Sequence, residues 1–251
     1  YAYLTINKKP QILTELDNFS EEALQENLEN IYKTIDQSTA KLLDIFIAKL
    51  VEQGGGNVFA NNSTIVIDVK EYAKILNGGN EPTRSQVNKA REKIKRGIDA
   101  LKYIAYTYKK GKIDYFNVSI YGGTDAIHNG KAIFKFNSDF IGLNLYAQGC
   151  LNVVPISVLS LNESINPHAY LMAKKMLSLR RNNRGDNYRE TTFKVKTLYD
   201  YVISLPRYRD ENGKTICKSP SQRIITPFED TLNALEQTGL FKWHYDSEYI
   251  N

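Results

Sequence analysis

Residues 83–112, TRSQVNKAREKIKRGIDALKYIAYTYKKGK, decide how the whole chain is read. Val87, Ala90, Ile94, Ile98 and Leu101 recur at spacings of three and four, which predicts a helix with one buried stripe. Thr83 is a good cap for its start. Behind it, 104–108 and 113–118 are two β-prone runs flanking Lys109, Lys110, Gly111 and Lys112. Gly111 supplies the positive φ that a hairpin turn requires. The window holds ten Lys/Arg against Glu92 and Asp99, a net +8 in a chain whose total is +5, so the remaining residues sum to −3. Positive charge is therefore focused on one helix and one hairpin tip.

Working outward, the 38–51 stretch carries Leu42, Leu43, Ile45, Phe46, Leu50 and Val51 as a wide apolar stripe. Ser38 is its expected cap and Gly54–Gly56 its stop. A β-branched strand follows at 64–69, then a short helix at 70–76 halted by Gly78 and Gly79. Helix, strand, helix, helix, strand, strand is the order of a winged helix. Ahead of it, 15–36 is acidic and reads as a solvated helical face opening at Ser20. Behind it, 122–130 reads as a loop, 131–136 as a strand, and Ser138 as the cap of a short helix. The pattern lapses at 149–155, which places boundaries at 1–37, 38–150 and 151–251.

The second half repeats the grammar. A helix is expected over 166–179, a basic loop over 180–185, a strand over 192–195 and a short helix over 196–203. A loop with Pro206 and Gly213 leads to a long helix opening at Ser219-Pro220, with Ile224, Phe228, Leu232 and Leu235 as its stripe, and then a strand at 240–245. Ile94, Ile98, Ala100 and Leu101 align with Phe228, Leu232, Ala234 and Leu235 at one offset. The expected fold is α+β, two winged-helix domains in tandem.

A focused basic helix beside a basic hairpin suits double-stranded DNA, the helix in the major groove and the hairpin on the flanking backbone. Arg84, Ser85, Asn88 and Lys89, near the helix N-terminus, are the expected base-edge readers, since Arg bonds guanine and Asn adenine bidentately. Arg91, Lys95 and Arg96 are expected on phosphates, with Lys109, Lys110 and Lys112 on phosphate or minor groove. In the second domain, Lys218, Ser219, Ser221, Gln222 and Arg223 hold the equivalent positions. Arg180, Arg181 and Arg184, with Arg189, form a further basic patch.

Chemistry for catalysis is not legible. Gly54–Gly56 lacks the Lys-Ser/Thr of a phosphate-binding loop. His128, His168 and His244 are isolated, so neither metal nor cofactor is expected. None of the seventeen tyrosines comes with a recognisable metal or arginine–histidine set. Cys150 and Cys217 read as reduced thiols of a cytoplasmic protein. No apolar run approaches the roughly 20 residues of a membrane span. The sequence opens at Tyr1 in place of Met, which allows for a piece ahead of it.

Residues 166–205, with AYLMAKKML at 169–177 and TLYDY at 197–201, are similar to the second domain of plasmid and phage replication initiators. So is RIITPFEDTLNAL at 223–235 leading to WHY at 243–245, and residues 38–121 resemble the first winged helix of the same family. The resemblance implies a non-enzymatic, sequence-specific protein bound to repeated origin sites. It also implies a monomer–dimer switch, autorepression, and host helicase or replication proteins as partners. The alternatives are a winged-helix transcriptional repressor, a tyrosine-dependent nicking or joining enzyme, and a protein whose basic face meets an acidic partner.

Overall fold

A computed structural model of the chain describes residues 35–55, 57, 60–110, 113–141, 154–182, 193–202, 205–210 and 212–245, with side chains left out at 60, 106–110, 113–118 and 180–182. The expected acidic helix at 15–36 lies almost wholly outside them. The chain divides into two compact units, 1–153 and 154–251. The architecture is mixed α+β.

In unit 1, helix α1 (Gln37–Gln53) starts one residue before the expected cap. Asp36, not Ser38, caps it, because its carboxylate accepts from the Thr39 N–H at 2.9 Å and the Thr39 hydroxyl at 3.1 Å. Strand β1 (Thr64–Asp68) alternates, burying Ile65 and Ile67. Its outer edge is satisfied by the Gln53 amide, which accepts from the Val66 N–H at 3.0 Å and donates to the Val66 carbonyl. Asp68 ends the strand and caps α2 (Val69–Leu76) through the Lys70 and Glu71 N–H groups. Helix α3 (Arg84–Lys102) follows a turn through Gly78 and Gly79, both at positive φ.

Four strands come next: β2 (Ala105–Lys110), β3 (Ile113–Ser119), β4 (Tyr121–His128) and β5 (Lys131–Phe136), then a short α4 (Ser138–Ile141). Two features differ from expectation. The 122–130 loop is largely strand β4, and β2–β3 is a separate two-stranded hairpin. The antiparallel sheet that contains β1 has the order β1-β5-β4. The glycines of β4 hid it in the sequence. They form a bulge between Tyr121 and Asp125, where the register shifts, and Gly122 lies so close to the Phe136 carbonyl that a Cβ would overlap it.

Sheet and helices close around Phe134, fully buried, with Phe46 at 5.3 Å, Tyr121 at 5.7 Å and Phe136 at 5.0 Å between ring centroids. Leu42, Leu43 and Phe46 of α1 and Ile94, Ile98 and Leu101 of α3 complete the core.

Unit 2 carries, among the described residues, α5 (Ile156–Leu159), α6 (Ala169–Asn182), α7 (Val195–Tyr201), a π turn (Ser221–Ile225) and α8 (Thr226–Glu236), with one antiparallel bridge between Arg209 and Thr215. Its core joins Tyr170, Met172 and Met176 of α6, Leu198 and Tyr201 of α7, and Phe228, Leu232 and Leu235 of α8. Pro227 has no N–H for the Arg223 carbonyl, and the turn before it widens into π geometry. Three expectations are corrected here. Arg180 and Arg181 belong to α6 and not to a loop, since the helix runs on through its charged end. Residues 193–194 lead into α7, which opens at Val195, and form no strand. Residues 241–245 are irregular, yet they are tied to α8: Trp243 Nε1 donates to Asn233 at 3.2 Å and the Tyr245 hydroxyl to Glu229 at 2.8 Å. Burial and the Glu229 carboxylate push the Tyr245 phenol up to about 12. Among the described residues no helix is long and apolar enough to cross a membrane.

Candidate nucleic-acid interface

The site is built on α3. Thr83 and Gln86 make a reciprocal cap: the Thr83 N–H donates to Gln86 Oε1 at 2.7 Å and the Gln86 N–H to Thr83 Oγ1 at 3.3 Å. Gln86 Nε2 also donates to Asn77 Oδ1 at 3.0 Å, so the first turn of α3 is fixed to the end of α2. Ala90, Ile94, Gly97, Ile98 and Leu101 face the core. That rotation leaves Arg84, Ser85, Asn88, Lys89, Arg91, Lys95 and Arg96 all exposed, as the periodicity predicts.

Among the described residues, none of those five cations pairs with an acid. Their neighbours do. Glu81 bridges Lys70 at 2.9 Å and Lys74 at 3.0 Å, and the Lys70 and Lys74 hydrogen bonds hold its carboxyl below the usual range. Lys49 pairs with Glu52 and Glu71. Charge on α2 is thus neutralised locally, whereas charge on the outer face of α3 is not. Such a face presents its full field to an approaching polyanion.

A groove of about 750 Å³ separates α3 from the β4–β5 hairpin, with Arg91 and Lys95 on one wall and His128, Asn129 and Gly130 on the other. The hairpin is held in place from three sides. Strand β5 pairs with β1, the Gly130 carbonyl accepts from the Val69 N–H at 2.8 Å, and Lys102 binds Asp125 at 2.9 Å. Tyr121 also donates to Asp125 at 2.6 Å. Burial would raise the Asp125 carboxyl, but the Tyr121 and Lys102 hydrogen bonds outweigh it and hold the group below its ordinary value. The bond to Asp125 raises Lys102 and Tyr121. His128, Asn129 and Lys131 are exposed at this tip, and the sequence reading assigned them no role.

The expected tip at 109–112 is only partly described. Lys109 and Lys110 end β2, but their side chains and all of Lys112 fall outside the described residues. The side chains of Arg180 and Arg181, and Arg184 entirely, do so too. Lys218, Ser219, Ser221, Gln222 and Arg223 are exposed together on the π turn and its approach. The three histidines lie far apart in the chain, and burial pushes His168 down. Among the described residues no group of three His, Cys, Asp or Glu could hold a metal ion. No family model, curated protein or solved structure matches this chain.

Proposed function

We propose that the protein is a sequence-specific double-stranded DNA-binding replication initiator that recognises repeated origin sites. In this reading α2 and α3 form a helix-turn-helix, α3 enters the major groove, and β4–β5, in place of the 104–118 hairpin expected from sequence, is the wing of a winged helix. The observation that carries it is the uncompensated cationic face of α3. Arg84, Ser85, Asn88 and Lys89 at its leading end are residue types that read base edges, and Arg91, Lys95 and Arg96 follow at phosphate distance along the helix. The origin, as distinct from another duplex site, rests on the resemblance of residues 38–121, 166–205 and 223–245 to plasmid and phage initiators.

The test is fluorescence anisotropy over a salt series, with random duplex and with the repeat-bearing DNA beside the gene. Preference for the repeats at salt that strips random DNA is the expected result. Equal, salt-sensitive binding to both reduces α3 to an electrostatic grip and removes the initiator reading. Preference for a promoter operator in place of the repeats makes the protein a repressor.

A further inference from the structure

The connection between α7 and the π turn is expected from sequence as a plain loop. In the structure residues 208–210 and 214–216 pair as a short antiparallel ribbon. Asp210 N–H donates to the Lys214 carbonyl at 2.9 Å and Ile216 N–H to the Tyr208 carbonyl at 2.9 Å, with Arg209 opposite Thr215. The tip is tight: Gly213 takes φ +78°, and the Asp210 carboxylate accepts from the Asn212 and Lys214 N–H groups at 3.0 and 2.8 Å. The base is anchored. Arg207 donates to the Tyr199 and Asp200 carbonyls at 2.9 and 3.0 Å and lies 4.9 Å over the Tyr199 ring. The Tyr199 hydroxyl donates to the Pro206 carbonyl and accepts from the Tyr208 N–H. Cys217 is buried.

What projects from that anchor is basic and partly apolar. Residues 207–223 hold five Lys/Arg against Asp210 and Glu211, a net +3. Asp210 is committed to the turn, and Glu211 lies outside the described residues. Arg209, Lys214, Lys218 and Arg223 are exposed and, among the described residues, pair with no acid. Tyr208 and Ile216, cross-strand neighbours, are 41% and 53% exposed. A fixed ribbon with Lys214 on the face of an exposed apolar pair and the Arg209 guanidinium 5.6 Å over the Tyr208 ring fits a sugar–phosphate backbone, where cations meet phosphates and apolar groups meet the sugar rim.

We infer that the 207–217 ribbon is a DNA-backbone clamp of unit 2, acting with the 218–223 turn into which it runs. This rests on the DNA-binding reading above. The paired arms, 208–210 and 214–216, extend about 10 Å at strand rise, so with the turn at the groove the ribbon reaches the adjacent sugar–phosphate strand. It places this element inside the helix–helix connection, before α8, and assigns Arg209 and Lys214 as phosphate contacts with Tyr208 and Ile216 on the sugars.

The experiment measures binding of the full chain to random duplex of about three helical turns across a salt series. Arg209→Ala/Lys214→Ala is compared with Lys196→Ala/Lys242→Ala, which removes the same charge from exposed positions of unit 2 outside the ribbon and its turn, and with Arg84→Ala/Lys89→Ala on α3. The ribbon variant is expected to bind about tenfold more weakly near physiological salt, its log–log salt slope shallower by about 2. The Lys196/Lys242 control should keep the wild-type slope. An unchanged ribbon variant, or one no weaker than that control, overturns the clamp. A wild-type chain that ignores duplex DNA overturns clamp and DNA reading together. Loss in the ribbon variant with none in the α3 variant keeps the clamp and removes Arg84 and Lys89 as electrostatic contacts on random duplex.

Discussion

Gly97 sits where α3 crosses α1, and a Cβ there would overlap Leu42 Cδ2. Two effects oppose each other on Gly97→Ala. Helix propensity favours alanine by about 1 kcal/mol. Overpacking against a fully buried leucine costs about 1–3 kcal/mol or more. Leu42 is fully buried, so its terminal methyl can give way only by displacing core neighbours; the variant should be net destabilised in urea unfolding, and Leu42→Ala should be better tolerated in its presence than alone. A more stable Gly97→Ala chain would mean that α1 and α3 are not so close. Asp125 makes a pH prediction at the same scale. Its folded carboxyl lies below the ordinary value, so its contribution is present above the unfolded value near 4 and is lost as pH falls through the lower folded value. Asp125→Asn should therefore be less stable than wild type around neutral pH, and the two melting curves should converge as pH drops below about 4. A gap that persists in acid would assign the effect to packing instead.

At the scale of elements, the first turn of α3 is where local sequence and proposed reading meet. Thr83→Ala removes one arm of the Thr83–Gln86 cap at a cost of about 1 kcal/mol. The loss is local to the turn that carries Arg84, Ser85 and Asn88. Melting temperature should fall little, while discrimination between repeat and random duplex should fall more than affinity for random duplex. Equal loss on both DNAs would detach base reading from this turn. Period and caps made this helix legible: apolar spacing fixed which side is buried, and hence which cations are free. Strand pairing was not legible in the same way. β1 could have paired with either hairpin, and the choice of β5 depends on contacts of Phe134 and Phe136 with α1 and α4 that no local pattern encodes. β4 looked like a loop because Gly122 and Gly123 serve a bulge. In unit 2, β-branched and aromatic residues at 192–195 and 240–245 suggested strands. At the first, Val195 opens α7; at the second, the Trp243 and Tyr245 side chains tie the segment to α8, and among the described residues no strand pairs with it. The 207–217 ribbon escaped notice because Pro206 and Gly213 mark a turn without saying that its arms pair.

At the scale of the molecule, each unit carries its own exposed basic surface: α3 in unit 1, and the ribbon with the 218–223 turn in unit 2. Whether both serve one duplex at once has a thermodynamic signature that needs no knowledge of how the units are arranged. Each phosphate neutralised contributes about 0.9 to the log–log salt slope. If both units grip together, stripping Arg91 and Lys95 lowers the slope by about 2, stripping Arg209 and Lys214 lowers it by about 2, and the quadruple variant loses the sum of the two. If the units bind in alternation, the unit left intact takes over. Each double variant then keeps most of the wild-type slope, and only the quadruple variant collapses. Additive losses are the expected outcome, because a protein that binds through two units gains affinity from simultaneous contact through the high effective concentration of the second unit once the first is bound. That gain should also appear as a minimum duplex length. Affinity for random DNA should drop steeply when the duplex is shortened from about two helical turns to one, and the drop should vanish in either double variant.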